Sequence, residues 1–467
     1  MNHRNRKLLT SVYNAQETRE ALLGGARIID CEDPRSALGN IKPREIMDIS
    51  DAALDFKRDL EVQISTNIGE DQLLFDRAED GRAIEKSPYE IAGKAAQAAI
   101  GVAVSMGTKI HPVNIVKVGL DGMEVGALTE VLREVVVTLD RTEDHSHAQV
   151  MSVLFAQDIA TWKKRRSEKD VIKQLIEVRE FQTAAEGSPD SVDLISYAAG
   201  LMDREGNPVF DEKKDEPITL AKLIEKKLLP NGVKTSMIRL NDPFPHSTFF
   251  PDLVGNPEER TNRAVIKAMV DATVASGAKS IMLDTSILSK VARIALVDTA
   301  ESANSDMVDL NRLDVSSNGL VTQGILPYEE IRFFVDYCHY RGVAMNLAGS
   351  IQSFQAQQLW VLIPEIDQIS GRGAASGIPV NPTGGVGEDT RHARVIKRSM
   401  VRGLAAPEHG GVLNIPEAWL KSSTAAEAKI NIKRAADMIQ EKRRQHGLPD
   451  LECFLVDKFG VPTTWKP

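Results

Sequence analysis

The 467-residue chain reads as an α/β protein built on a (β/α)8, or TIM, barrel with additions. Three observations carry that reading. Short β-branched runs alternate with helical patterns, the signature of parallel βα units. The runs number eight, the count that closes such a barrel. The length suggests about three domains of roughly 150 residues, or a barrel of about 250 with roughly 200 residues of additions. The surplus falls into two polar stretches and a tail, which favours the enlarged barrel.

The elements follow in order. The first strand is 8–12 (LLTSV), and the helix at 15–23 stops at Gly24-Gly25, a good C-cap pair. Strand two, 27–31 (RIIDC), runs into an acidic loop bearing Pro and Gly. Strand three is 62–66, the Ala- and Gly-rich 91–106 suits a helix packed closely on a sheet, and strand four is 113–120 (VNIVKVGL). Strand five, 149–156, is followed by a large insertion over 160–260, with charged helical stretches and Pro-rich turns. A helix at 263–276 leads to strand six, 279–285 (KSIMLDT), and then to a smaller polar insertion over 300–319. A helix at 328–341 precedes strand seven, 343–348, strand eight is 366–370, and a last barrel helix spans 396–404. The barrel thus occupies 1–404. A helical C-terminal extension, 405–467, has its helix from 416 to about 445 and is expected to pack outside the barrel or onto a second subunit. Both insertions follow strands, so both are expected on the face where the strands end, with the longer one covering the mouth.

Composition narrows the function. With 57 Lys+Arg against 66 Asp+Glu the net charge is -9, which argues against nucleic-acid binding. The densest basic run, 163–166 (KKRR), reads as a solvated helix face. No apolar run approaches the roughly 18 residues of a membrane span, and no signal-like segment follows the basic N-terminus. Cys31, Cys338 and Cys453 lie far apart and form no CxxC pair, which fits a reducing compartment. The expected setting is a cytoplasmic homo-oligomer with a small-molecule substrate and no cofactor.

In barrels of this class the chemistry sits at the C-terminal strand ends. Strand two ends in Asp30, Cys31 and Glu32, with Asp30 and Glu32 on one side. A buried carboxylate there needs a partner or a task, and capping the next helix is the plain alternative. Lys117 lies in an apolar strand, so its amine is expected near the mouth, with a pKa lowered by desolvation and suited to Schiff-base or proton-transfer chemistry. An ion pair with Asp30 or Asp284 is the structural alternative. Asp284 closes strand six. Gly349-Ser350 after strand seven and Gly371-Arg372-Gly373 after strand eight occupy the loops where barrels bind phosphate. His145 and His147 read as exposed, and a carboxylate Mg²⁺ site from Asp30, Glu32 and Asp284 is a minor alternative.

These residues carry a resemblance. The stretch 8–39, with ISTNIGE, NIVKVGLDG, IMLDTSI, LAGSI and GRGAA in order, resembles the (5-formylfuran-3-yl)methyl phosphate synthase family of methanofuran-type cofactor biosynthesis. The resemblance implies a (β/α)8 barrel that condenses two glyceraldehyde 3-phosphate molecules into a furan phosphate. It also implies a Schiff-base lysine in an Asp-x-Lys-x-Pro pattern after strand two. Here that pattern reads Asp30-Cys31-Glu32-Asp33-Pro34, so Glu32 stands where the lysine belongs. The resemblance further implies roles for Lys117, Asp284 and Asp158, while a second family lysine falls on Leu288. The phosphate loops match at Gly349, Ser350, Gly371, Arg372 and Gly373.

Glutamate cannot form an imine, and three readings stay open. Lys117 takes over as the reactive amine of a lyase- or aldolase-like enzyme acting on a phosphorylated carbonyl compound. Alternatively, Asp30, Glu32 and Asp284 drive an aldol or elimination step without an imine. In the third reading the barrel is catalytically silent and binds a phosphorylated ligand or scaffolds a complex.

Overall fold

The computed structural model describes residues 6–33, 41–57, 61–68, 75–77, 83–85, 113–119, 125–141, 148–159, 210–211, 216–217, 262–285, 294–298, 323–377, 394–409, 411–416 and 447–456, with scattered positions in 90–96 and 433–445. Eight parallel strands close into a barrel: β1 (Lys7–Val12), β2 (Ile28–Cys31), β3 (Gln63–Asn67), β4 (Ile115–Gly119), β5 (Gln149–Phe155), β6 (Ser280–Asp284), β7 (Ala344–Leu347) and β8 (Gln368–Ser370). Each strand pairs with the next, and the seam is sealed by Lys7, Leu8 and Leu9 of β1 against Gln368, Ile369 and Ser370 of β8. All eight expected strands are present, and the chain is a TIM barrel.

Alternation along the strands divides the core in two. Leu8, Ile29, Ile64, Val116, Leu154, Leu283 and Ile369 belong to the large cluster shared with the surrounding helices. Their neighbours Leu9, Ile28, Ile115, Met151, Val153 and Met282 make a smaller apolar plug. The same two-residue period carries Ser11, Asp30 and Lys117 onward from that plug toward the strand ends.

The helices are α1 (Ala15–Gly24), α2 (Pro43–Lys57), α3 (Val125–Asp140), α4 (Asn262–Ser276), α5 (Tyr328–Arg341), α6 (Ser353–Leu362) and α7 (Arg398–Leu404). Asn14 caps α1 by accepting from Glu17 N at 3.0 Å, and Gly25 ends it in the left-handed region at φ 107°. Gly24 has a packing reason: a Cβ there would lie 2.5 Å from Val401 Cβ of α7. The last barrel helix starts two residues later than expected, because Val395–Ile396 first pairs antiparallel with Ser376–Gly377.

Helix α6 is buried on every side. Its outer face is covered by α7 and by the C-terminal extension, whose strand Leu413–Pro416 pairs in parallel with Cys453–Val456. Pro416 therefore closes a strand and does not open the expected helix. Within α6, Gln357 Nε2 donates to Gly403 O and Ala405 O at 2.7 and 3.0 Å, and Trp360 Nε1 donates to Leu404 O at 2.8 Å. These bonds satisfy buried polar atoms on both sides of the contact.

After β6 the chain forms a second parallel pair, Ile294–Asp298 with Gln323–Pro327. It is fastened to the barrel by Leu296 N donating to Gly349 O at 2.9 Å. The expected insertion 300–319 lies outside the described residues, as do His145, His147, the run 163–166 and most of 160–260. Within the latter only Phe210–Asp211 and Glu216–Pro217 are described, as an antiparallel pair. No helix among the described residues is long and apolar enough to cross a membrane.

Candidate active site at the barrel mouth

Strands β1, β2 and β4 bring one hydroxyl, two carboxylates and one amine together. Register places Ser11 beside Asp30 and Asn67 beside Lys117. Lys117 Nζ donates to Asp30 Oδ2 at 2.6 Å and to Glu32 Oε2 at 3.2 Å. Ser11 Oγ meets the same two oxygens, at 2.9 Å and 3.2 Å. Lys117 and Ser11 thus share one oxygen from each of the two carboxylates. All four residues are buried, and the carboxylates differ: the Asp30 side chain is 0% exposed and that of Glu32 11%.

The electrostatics reverse one expectation. Burial disfavours the Lys117 ammonium, but the charges of Asp30 and Glu32, with their hydrogen bonds, outweigh it and hold its pKa above the usual lysine value. Burial alone gives the opposite sign, and it fails here because two carboxylates enclose the amine. Burial would likewise raise Asp30, yet the adjacent Lys117 charge keeps its carboxyl below the ordinary range. Cys31, which points the other way into the core, is pushed well up by burial and is not a nucleophile. Among the described groups the cluster holds one ammonium and two carboxylates. Ser65, opposite Asp30 in the pairing of β2 with β3, is buried beside it, and its hydrogen bond also favours the Asp30 carboxylate.

Asp284 is buried at the end of β6 and accepts from Thr285 N at 2.7 Å. Asp158 falls in the short helix Ala156–Ile159 that directly follows β5. Gly349 and Ser350 are both left-handed, at φ 95° and 55°, and lead into the N-terminus of α6. For a serine this backbone is an outlier of the kind that gathers at ligand sites. Gly349 is further required by close approach, since a Cβ there would lie 2.7 Å from Thr285 N. Gly349→Ala is expected to cost about 1–3 kcal/mol from the backbone conformation alone. Urea unfolding checks this, and a midpoint unchanged from wild type would contradict it.

Arg372 sits where expected, after β8, but its guanidinium is engaged. It donates to both oxygens of Glu17 at 3.0 and 3.1 Å, to Ser11 O at 2.9 Å and to Arg394 O at 3.4 Å. Gly371 and Gly373 flank it, and Gly373 opens a short 3-10 turn.

Two residues of this site were not read from the sequence. Ser11 had a readable signal, since alternation from Leu9 places it on the inner side of β1. Glu17 had a misleading one: three residues after Asn14 it resembles an ordinary helix-capping acid.

The fold and site together define a TIM barrel with a buried lysine–carboxylate cluster at the end where such barrels carry their chemistry. A model of the family described as 4-HFC-P synthase matches residues 8–185. The matched stretch runs from β1 through β5 of the barrel and ends before β6. No curated protein matches the chain.

Proposed function

We propose that the chain is a lyase- or aldolase-type enzyme acting on a phosphorylated carbonyl compound of the triose-phosphate type, by a route that needs no imine. The observation that carries this reading is the placement of Lys117 Nζ within 2.6 Å of Asp30 and 3.2 Å of Glu32. An amine so enclosed stays an ammonium, and an ammonium polarises a carbonyl oxygen but does not attack its carbon.

In this reading the substrate carbonyl oxygen accepts from Lys117. Glu32, the more open of the two carboxylates, removes the proton on the adjacent carbon. The C–H pair moves into a C=C bond, and the enolate oxygen charge rests against the ammonium. Attack of that carbon on a second carbonyl forms a C–C bond as the donor C=O re-forms, the acceptor's C=O pair moves onto its oxygen, and that oxygen takes the proton back from Glu32. If phosphate sits on the β-carbon, its departure completes an elimination instead. Asp30 remains ionised and holds Lys117 in place, and Asp284 is the acid/base group across the mouth. In this reading the left-handed Gly349–Ser350 turn and the backbone of Arg372 and Gly373, in the loop after β8, hold the phosphate, because Gln352 N is taken by Gln355 Oε1 and Gly371 N by Leu9 O. Arg372 contributes by shaping that loop, given its commitment to Glu17.

The test is incubation of the full chain with glyceraldehyde 3-phosphate in D2O. Deuterium is expected to enter the carbon next to the carbonyl, followed by NMR, with loss of at least tenfold in Glu32→Gln, a modest figure for removing an acid/base group. Borohydride is expected to trap nothing on Lys117 in wild type, whereas Glu32→Lys, which supplies an amine where the resemblance implies one, becomes trappable. A borohydride adduct on Lys117 would restore the imine route. Neither exchange nor trapping would favour the catalytically silent barrel.

A further inference from the structure

We propose that Glu17 and Arg372 form a positioning pair that holds Ser11, and through it the Asp30 and Glu32 carboxylates, in line with Lys117. The inference deepens the reading above and rests on it for its functional meaning, though its geometry stands alone. Glu17 is almost fully buried at the start of α1, away from the reacting cluster. Each of its oxygens accepts twice. Oε2 takes Tyr13 N at 2.7 Å and Arg372 Nη1 at 3.0 Å, and Oε1 takes Arg372 Nη2 at 3.1 Å and Ile396 N at 3.2 Å. One carboxylate therefore ties together the loop after β1, the loop after β8 and the strand that returns toward α7.

Arg372 passes the constraint on. Its Nη1 also donates to Ser11 O at 2.9 Å. The backbone of Ser11 is thereby fixed, and its hydroxyl faces Asp30 Oδ2 and Glu32 Oε2. The chain of contacts runs from Glu17 to Arg372, to Ser11, to the carboxylate pair and to Lys117. A helix cap needs none of this, because Asn14 already caps α1. A guanidinium fork is required at position 372, since two parallel N–H bonds to Glu17 and a third contact to Ser11 O exceed what an ammonium can align.

The relay predicts an effect of defined sign on a group that Glu17 does not touch. The readout is the titration of the Glu32 carboxyl, followed by ¹³C NMR of the full chain labelled in Asp and Glu, with the resonance assigned by its loss in Glu32→Gln. Ser11→Ala removes a donor to the ionised form and is expected to raise the midpoint by about one pH unit. Glu17→Gln and Arg372→Lys loosen Ser11 and are expected to raise it by about half as much. A purely long-range charge effect has the opposite sign: loss of the Glu17 charge would lower the midpoint. Arg398→Ala is the control, because it breaks the exposed Arg398–Glu20 pair between α7 and α1 without reaching Ser11. A downward or absent shift in the Glu17 and Arg372 variants, or an equal upward shift in the control, overturns the proposal. Should Glu17→Gln fail to fold, Arg372→Lys makes the same comparison. The titration needs no substrate, so a failure to find turnover would sink the proposed reaction and leave this relay standing.

Discussion

Lys117→Met is expected to destabilise the barrel by about 3–5 kcal/mol at neutral pH, among the largest effects of any single substitution in this chain. Methionine fills the space but leaves Asp30 and Glu32 facing each other in a buried site with no counter-charge. The cost should depend on pH with a definite shape. Asp30 is held below its ordinary range, so its share of the stability is present above about pH 4 and is lost as pH falls through its folded value. Lys117 is held above its usual value, so its share is present below about pH 10.4 and is lost as pH rises through the folded value. The difference between wild type and variant should form a plateau between those limits and shrink toward both ends. Urea unfolding across pH measures it directly. A cost below about 1 kcal/mol, or one that stays constant into strong acid, would mean that the cluster is not the ion pair described.

Trp360→Ala is the second large effect, at about 3–5 kcal/mol. The side chain is fully buried in α6, its indole N–H satisfies Leu404 O, and the Arg6 guanidinium lies 5.7 Å over its ring. Arg6 also donates to Trp360 O at 2.8 Å and is ion-paired with Glu408, so one residue joins the start of β1 to the turn that follows α7. The loss should therefore exceed that of removing an apolar group alone. Trp360→Phe separates the parts: it keeps most of the ring and removes the donor, for an expected cost of about 1 kcal/mol. Thermal unfolding of the two variants side by side gives the comparison. Equal losses would mean that the hydrogen bond, and not the packing, is what the tryptophan supplies.

The strands were legible in the sequence because each is a short apolar run bounded by a breaker, and all eight were found. The helices were less so. The residues of α6 are buried on every side, and a helix without a polar face has no 3.6-residue period to read. The site was half legible. Asp30, Glu32, Lys117 and Asp284 follow from position at a strand end and from alternation. Which of them meet does not, because contact between residues 85 and 87 apart depends on the barrel's curvature. The sign of the Lys117 shift shows the consequence: burial is readable from an apolar run, whereas the sequence offers both Asp30 and Asp284 as ion-pair partners, and the barrel brings Lys117 to Asp30 together with Glu32. Arg372 shows it again: a cation in a glycine-rich turn looks ready for an anion, and its actual anion, Glu17, lies 355 residues away.

The seam between β1 and β8 has a consequence for how the molecule is made. Leu8 and Leu9 are synthesised about 360 residues ahead of their partners Ile369 and Ser370. The stretch matched by the family model supplies only β1 to β5, a sheet with two open edges. Until β6, β7 and β8 arrive, β1 and β5 each present unpaired backbone to any neighbouring strand. The nascent chain is thus exposed to edge-to-edge association until β8 is made, and the same holds for any fragment cut after β5. The barrel protects itself only once its last strand is in place.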